Sequence, residues 1–556
     1  MKKVEMQLLN CLEKVFPTKR PDNAFGLTAI SGLRGEEISL QAAYMWEVNP
    51  RTEGSCNAEL HVISSLGDAV RCRKVGYVPS LTPNVGGYDE DVVLTAEPGL
   101  FPDILLDMKA SRIKLVPMQW RSVWIDVALD ADTPAGEYVL TVQIAQGDEV
   151  LAAETVVVTV IDACLPEQTL IHTEWFHSDC IADYYEIPVF SEAHWAAIGN
   201  FIELAVKRGI NMILTPVFTP PLDTAVGGER TTVQLVDVTM LGDSYVFGFE
   251  KFDRWVKLCL EKGVQYIEIA HLYTQWGACC APKVMASVDG TEKRLFGWDT
   301  EATSPAYKAF LQAFLPALTA RLHLLGVAGK TFFHISDEPD WEHDRKSYEA
   351  AVAQVRPYLE GFEIIDALSN IAFYESGLVK RPIPANNHIE PFLDAKVERL
   401  WTYYCVGQMH DVSNRFMALP SAQNRILGVQ LYKFDMEGFL HWGYNFYNSS
   451  RALDYINPFM VTDADCSFSS GDAFLVYPGR GLKPVESIRM MVLFHALQDL
   501  RALRLLEMME GRAFVLALIA EEAGQDITFA KYPRDAAFLM RLRERVNAGI
   551  AARSGA

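Results

Sequence analysis

Several protein classes are excluded by what the chain lacks. It has no surplus of positive charge: 50 Lys and Arg stand against 71 Asp and Glu, for a formal net charge of −21. Phosphate backbones and anionic bilayers are held by clustered cations, so neither nucleic acid nor a membrane is expected as partner. No apolar run approaches the ~18 residues that a membrane-spanning helix needs. The start, Met1-Lys2-Lys3-Val4-Glu5-Met6-Gln7-Leu8-Leu9-Asn10, is basic like a secretion signal. Glu5, Gln7, Asn10 and Glu13 interrupt any apolar stretch, however, and no small-residue cleavage site follows. It reads as a mature start, and a cytoplasmic location is expected. The ten cysteines, Cys11, Cys56, Cys72, Cys164, Cys180, Cys259, Cys279, Cys280, Cys405 and Cys466, show none of the two-residue spacings of zinc ribbons or redox pairs, so mostly buried free thiols are expected. Gly-rich phosphate cradles, nucleophile elbows, internal repeats and low-complexity tracts are absent too.

What is present is an ordinary globular composition, 50% hydrophobic and 22% charged, in a chain of 556 residues. From Glu37 to about Asp162 short alternating β-rich runs are broken by turn signals. Val92-Val93-Leu94-Thr95, Ser122 to Val127, Tyr138 to Ile144 and Thr155 to Asp162 are examples, with Asp132-Thr133-Pro134-Ala135-Gly136 as a turn. The pattern predicts an N-terminal β-sandwich over residues 1–166. After Pro166 strand-like runs alternate with helical periodicity, which predicts a (β/α)₈ TIM-like barrel over 167–486. Its eight strands are placed at Ile171–Phe176, Asn211–Thr215, Val264–His271, Thr331–Ser336, Glu363–Leu368, Pro382–Asn386, Arg399–Tyr404 and Gly438–Phe446. Ser304-Pro305 offers an N-cap and a first-turn proline to the helix before the fourth strand. Residues 487–556 read as a C-terminal helical extension closing the barrel, and the polar loop from Asn448 to Pro484 is long enough to be functional.

The fourth strand, Thr331-Phe332-Phe333-His334-Ile335-Ser336-Asp337-Glu338-Pro339, ends in two consecutive acids. In barrels, active sites lie at the C-terminal ends of the strands. Pro339 biases Glu338 toward an extended backbone and keeps both acids at the strand end. Two such close carboxyls resist ionising together, so one pKa should rise into the range of a general acid. Read from this segment alone, the acids could equally cap the following helix. Aromatics shift the balance, because sugar pockets pair aromatic platforms with a few polar groups. Predicted strand ends and loops carry Trp175, His271, Tyr273, Trp276, Trp298, Trp341, Trp401, Tyr403, Tyr404, Trp442, Tyr444 and Asn445, about half of which are expected at the site. His172 and His177 flank Glu174, but no helix face carries a metal-ligand spacing, so no metal and no cofactor are expected.

Several segments together resemble the domain-of-unknown-function 4091 group, related to glycoside hydrolase family 123. They are Ser336-Asp337-Glu338-Pro339, His271-Leu272-Tyr273-Thr274-Gln275-Trp276-Gly277 with Ala281-Pro282-Lys283, Phe296-Gly297-Trp298-Asp299, His441-Trp442-Gly443-Tyr444-Asn445 and Ser470-Gly471-Asp472 through Gly479. Pro98 to Asp103 and Thr133 to Tyr138 extend the likeness into the sandwich. The resemblance implies a β-N-acetylhexosaminidase, N-acetylgalactosaminidase-like, acting on an oligosaccharide or glycoside. In that family an adjacent Asp-Glu pair works with the substrate's own 2-acetamido group. Carried over, Asp337 would hold the acetamido N–H and aim its carbonyl oxygen at the anomeric carbon. Glu338 would protonate the leaving oxygen and then deprotonate the incoming water. His271, Tyr273, Trp276, Lys283, Trp298, Tyr403, Trp442, Tyr444 and Asn445 would bind substrate, with Lys283 pairing an acid of the site. Two other readings stay open: a two-carboxylate glycosidase recruiting Glu174, Glu268 or Glu437 as the distant partner, and a non-catalytic carbohydrate-binding protein.

Overall fold

The structure, a computed structural model, describes residues 3–21, 26–86 and 92–554. Met1 and Lys2 of the basic start lie outside them. The chain forms two compact units: Met1–Gln168 with His410–Phe434 and Val485–Ala556, and Thr169–Met409 with Asp435–Pro484.

In the first unit, two five-stranded sheets enclose one apolar core. One sheet runs Lys3–Asn10, Glu36–Glu47, Trp120–Leu129, Val70–Ser80, Gly99–Asp107; the other runs Ala29–Arg34, Glu149–Cys164, Gly136–Gln146, Cys56–Ile63, Arg112–Leu115. Side chains on alternate positions, such as Leu40 and Ala42, Val123 and Ile125, Leu140 and Val142, and Val156 and Val158, meet in that core, as the period of two requires. The 132–136 turn is locked by Tyr138, whose hydroxyl donates to the Pro134 carbonyl at 2.8 Å. Val92–Thr95, expected as a strand, is turn and irregular backbone instead. Leu94 gives its N–H to Ala418 at 2.8 Å, a loop contact rather than a sheet ladder.

The C-terminal helices are Ile488–Glu510, capped by Ser487, then Arg512–Ala523 and Ala536–Ser554. The sequence reading sets residues 487–556 apart, whereas buried ion pairs tie them into the sandwich unit. Arg543 reaches Glu36 at 2.6 Å and Asp499 at 3.0 Å, and Arg425 reaches Asp499 at 2.7 Å.

The second unit is a parallel eight-stranded barrel. In chain order its strands are Ile171–Glu174, Met212–Thr215, Tyr266–Ile269, Thr331–Phe333, Glu363–Ala367, Arg381–Ile383, Trp401–Tyr403 and Gly438–His441. They are numbered 1 to 8 below. Seven fall inside their predicted runs, and strand 6 begins one residue before its run, at Arg381. The spatial order 6-5-4-3-2-1-8-7 is that of a wound barrel, and a parallel bridge from Ala385 to Tyr403 joins the ends of strands 6 and 7. The strands are nearly wholly buried, with Met212, Leu214, Ile365 and Ile383 among the residues filling the interior. Helix Pro305–Leu324 starts as predicted, the Ser304 side chain accepting from Tyr307 N. One element lay outside the sequence reading: a four-stranded sheet, Ser244–Gly248, Asp237–Leu241, Val284–Val288 and Thr291–Phe296, built from excursions after strands 2 and 3.

All ten cysteines are free thiols. The expectation that most are buried holds only for Cys11, Cys180 and Cys259; Cys164, Cys279 and Cys466 are exposed, and the other four are intermediate. Among the described residues no helix is long and apolar enough to cross a membrane.

Candidate active site

At the C-terminal end of the barrel a cavity of about 170 Å³ is walled by Trp175 from strand 1, Leu222 and Asp223 from strand 2, and Gln275 and Trp276 from strand 3. Asp337 and Glu338 from strand 4, Ala367 from strand 5, Tyr403, Cys405 and Val406 from strand 7, Leu440 and Trp442 from strand 8, and Phe468 from the long loop complete it. The sequence pattern creates this mouth because each strand ends within a few residues of its apolar run, leaving the next side chains to face the opening.

The acidic pair is held by backbone on both sides. Trp276 N–H donates to the Asp337 carbonyl at 2.8 Å, and Glu338 N–H donates to the Ala367 carbonyl at 3.1 Å. Glu338 is not extended, as Pro339 had suggested: its φ is 42°, in the left-handed region. The hydrogen bond to Ala367 outweighs the preference of a pre-proline residue and turns the side chain inward. The helix that follows starts only at Arg345, with Asp344 before it. The acids therefore do not cap that helix.

Tyr403 donates its hydroxyl to Glu338 Oε1 at 2.5 Å, a charge-assisted bond when Glu338 is ionised. Among the described residues no hydrogen bond reaches the Asp337 carboxylate. Burial, then the Glu338 charge, pushes Asp337 well above the usual carboxylate range, with only His334 among its main neighbours opposing. Glu338 is raised too, by the desolvating cavity walls, against the pull of the Tyr403 bond. This is the pattern of a site prepared to keep a carboxyl protonated.

Beneath the pair lies a charged floor. His334 sits between Glu268 at 2.6 Å and Asp366 at 3.3 Å. Burial alone would favour a neutral ring, but these two carboxylates lift its pKa to about 9. Glu268 also accepts from Trp175 Nε1 at 2.8 Å and from Thr173 Oγ1, so the same carboxylate orients an aromatic wall of the cavity. His271 stacks on His334 with centroids 4.3 Å apart; buried and beside that cation, it is held neutral, well below its ordinary pKa.

The predicted binding residues divide. Trp276, Tyr403 and Trp442 line the cavity with the two acids. Trp442 is steadied by Asp472, which accepts its indole N–H at 2.9 Å. His271 lies behind the wall rather than in it. Tyr273 is fully buried, edge-on to Tyr307 and taking a hydrogen bond from Gln354. Tyr444 stacks on Phe176 and donates to the Phe201 carbonyl, while Asn445 braces the His177 backbone through both ends of its amide. Lys283 and Trp298 line a smaller neighbouring cleft, where Lys283 pairs with Glu229 at 2.8 Å instead of an acid of the site.

The carboxylates that a two-acid mechanism would recruit are engaged elsewhere. Glu268 is in the floor, and Glu174 is buried against His172 at 3.3 Å and His441 at 3.7 Å. Glu437 pairs with Arg381 and Arg399 at the opposite, N-terminal end of strand 8. None of the three lines the cavity. Among the described residues no group of three or more His, Cys, Asp or Glu is placed to hold a metal ion.

The glycoside hydrolase 123 catalytic domain matches residues 175–506. The chain belongs to glycoside hydrolase family 123. As a family 123 member it hydrolyses glycosidic bonds and takes a carbohydrate substrate, and the matched span carries every residue of the cavity. A family 123 glycoside hydrolase from Clostridium perfringens, studied for glycolipid glycan hydrolysis, superposes with a TM-score of 0.75 over 100% of this chain and 99% of its own, at 15% identity. A Bacteroides ovatus GH5 xyloglucanase covers 84% of this chain and 98% of its own at 10% identity, with a TM-score of 0.31. That score is too low to carry an argument. No curated protein matches the sequence.

Two acids, Asp223 in the cavity wall and Asp472 behind Trp442, escaped the sequence reading of this glycoside hydrolase. Asp472 stands within a quoted segment but had no assigned role. Asp223, after Thr219-Pro220-Pro221-Leu222, bears no local signature beyond being an acid in a loop after a barrel strand, which is where barrel sites are built.

Proposed function

We propose that this family 123 enzyme is an exo-acting β-N-acetylhexosaminidase, N-acetylgalactosaminidase-like, that cleaves with retention through the 2-acetamido group of its substrate. In the first step Glu338 gives its proton to the glycosidic oxygen while the acetamido carbonyl attacks the anomeric carbon. Asp337 accepts the acetamido N–H and balances the oxazolinium charge as it develops. In the second step Glu338 takes a proton from water as it attacks the anomeric carbon and opens the oxazolinium, which restores the acetamido group with its N–H still on Asp337. The raised pKa of Glu338 suits the acid role. For Asp337 the developing cation adds to the opposing charge of His334, lowering its pKa when the carboxylate is needed.

The observation that carries this reading is that both acids of an adjacent pair face one cavity, while Glu174, Glu268 and Glu437 are committed elsewhere. A substrate that brings its own nucleophile needs no carboxylate at the ~5 Å spacing of ordinary retaining enzymes. A cavity of about 170 Å³ suits a single terminal ring better than the middle of a chain, which supports exo action. The test is a matched set of aryl glycosides differing only at position 2. The reading expects turnover of the 2-acetamido members and little of the 2-hydroxy ones; comparable rates on both would sink it.

A further inference from the structure

The cavity wall carries three acids, Asp223 after strand 2 and Asp337 and Glu338 after strand 4, among the aromatic side chains of Trp175, Trp276, Tyr403 and Trp442. No Lys, Arg or His lines it. Asp337 and Glu338 have work in the proposed reaction; Asp223 has none, yet it is the more elaborately held. Its φ is 38°, a left-handed conformation that a non-glycine residue keeps only where its surroundings enforce it.

The enforcement is visible. Asp223 N–H donates to Gln275 Oε1 at 2.6 Å, and Gln275 Nε2 donates to the Thr224 carbonyl at 3.2 Å. Arg451 N–H donates to Asp223 Oδ2 at 2.9 Å, and the Arg451 carbonyl accepts from Ala225 N–H at 2.9 Å. Loops after strands 2, 3 and 8 are thus joined at one residue, through its backbone N–H to Gln275 and through Oδ2 to Arg451. Its other oxygen, Oδ1, has no protein hydrogen-bond partner among the described residues, and the side chain faces the cavity. Burial lifts the pKa to about 6, so the group is an acceptor at neutral pH and a donor in mild acid. A sugar hydroxyl complements it in either state.

We infer that Asp223 is a specificity-determining residue that reads one ring hydroxyl of the sugar bound in the cavity, through Oδ1. The inference rests on the cavity being the sugar site, and it names the substrate as a neutral hydroxylated ring on that side. A sulfate or carboxylate substituent there would meet a like charge. A hydroxyl turned away by epimerisation or removed altogether would leave Oδ1 desolvated and unpaired. Sites built to bond a substrate hydroxyl reject analogues lacking it for that reason.

The test crosses variants with substrates. Wild type, Asp223→Asn and Asp223→Ala are assayed for kcat/KM on an aryl 2-acetamido glycoside and on its 3-deoxy, 4-deoxy and 6-deoxy analogues. On one analogue the wild type should fall about 10- to 100-fold, and Asp223→Ala should cost nothing more, because the partner of Asp223 is already gone. On the parent and the other analogues Asp223→Ala should cost about that same factor. Asp223→Asn keeps an oxygen for Arg451 N–H and puts an N–H₂ in place of Oδ1; it trades a charged acceptor for a neutral donor, so its smaller loss on the parent should vanish on the same single analogue, which carries the crossing if the alanine variant does not fold. Tyr455→Phe serves as a loop control: it breaks the links of the Tyr455 hydroxyl to Thr231, at 3.1 Å, and to Asp183, none of them in the cavity wall, and should affect every substrate alike. A loss of equal size on all four substrates overturns the inference, showing a structural or acid–base role. No loss on any overturns it too. If the wild type turns over none of the 2-acetamido substrates, the reading of the cavity falls and this one with it, an outcome distinct from turnover without crossing.

Discussion

Removing the Tyr403 hydroxyl should move the pH dependence of the reaction in a direction that the geometry dictates. Tyr403 donates to Glu338 Oε1 at 2.5 Å and stabilises the ionised form, so it lowers a pKa that burial raises. In Tyr403→Phe that opposition is gone, and the pKa of Glu338 rises further. A hydrogen bond to a charged group is worth roughly 1.5–3 kcal/mol, and ~1.36 kcal/mol corresponds to one pKa unit. Glu338 keeps contact with solvent through the cavity, which screens the bond and favours the lower end, about one unit. Since Glu338 must be protonated to deliver its proton, the alkaline limb of kcat/KM should move up by about one pH unit, while the acid limb, set by other groups, stays. The assay is a pH profile of kcat/KM on a substrate with a poor leaving group, for wild type and Tyr403→Phe. An unmoved alkaline limb in a folded variant would refute either the assignment of Glu338 as acid or its tuning by Tyr403, and a downward shift would refute the sign of the argument.

Other perturbations separate the remaining roles. Glu338→Gln should abolish cleavage of poor leaving groups by about 10²- to 10⁴-fold and spare activated aryl leaving groups in the first step, whereas Asp337→Asn should slow both alike; steady-state rates on a leaving-group series read the difference. Trp442→Ala should lose on the order of 1–3 kcal/mol of transition-state binding in kcat/KM, while Trp298→Ala, in the neighbouring cleft, should change kinetics little. In the sandwich unit, Arg425→Met strips the buried Asp499 of one of its two arginines and should destabilise by up to about 3–5 kcal/mol, seen as a lower urea midpoint; Glu192→Gln on the barrel unit, which breaks the exposed pair with Arg254, should leave the midpoint nearly unchanged.

The barrel was legible because each strand is a short apolar run stopped by polar or turn residues, as Thr331–Phe333 is before Ser336-Asp337-Glu338. The four-stranded excursion sheet was not read, though it carries a usable signal. Asp289-Gly290 joins its strands with φ of 52° and 77°, the backbone of a two-residue hairpin turn that favours Asp-Gly. Val92–Thr95 shows the converse: β-branched residues make a strand only when a neighbour pairs with them. The acids of strand 4 stood out as a strand-end pair, though that segment alone read equally as a helix cap until the aromatics were weighed, and the aromatics themselves could not be sorted. Tyr273, Tyr444 and Trp442 share composition and strand-end placement. Which of them meets solvent depends on packing partners hundreds of residues apart or on a different loop, such as Asp472 for Trp442. Asp223 depends on closure of the barrel to bring three loops together. Nothing near it in sequence reports that.

The central claim is that the substrate's acetamido group is the nucleophile, and the most direct measurement is inhibition by a thiazoline mimic of the cyclised intermediate beside the parent 2-acetamido sugar. The mimic carries the fused ring that Asp337 would hold and a developing positive charge beside the acidic pair. Wild type should bind it at least 10²-fold more tightly than the parent sugar, and Asp337→Asn should lose most of that advantage. Binding of the mimic no tighter than the parent sugar, or an advantage untouched in Asp337→Asn, would contradict the claim.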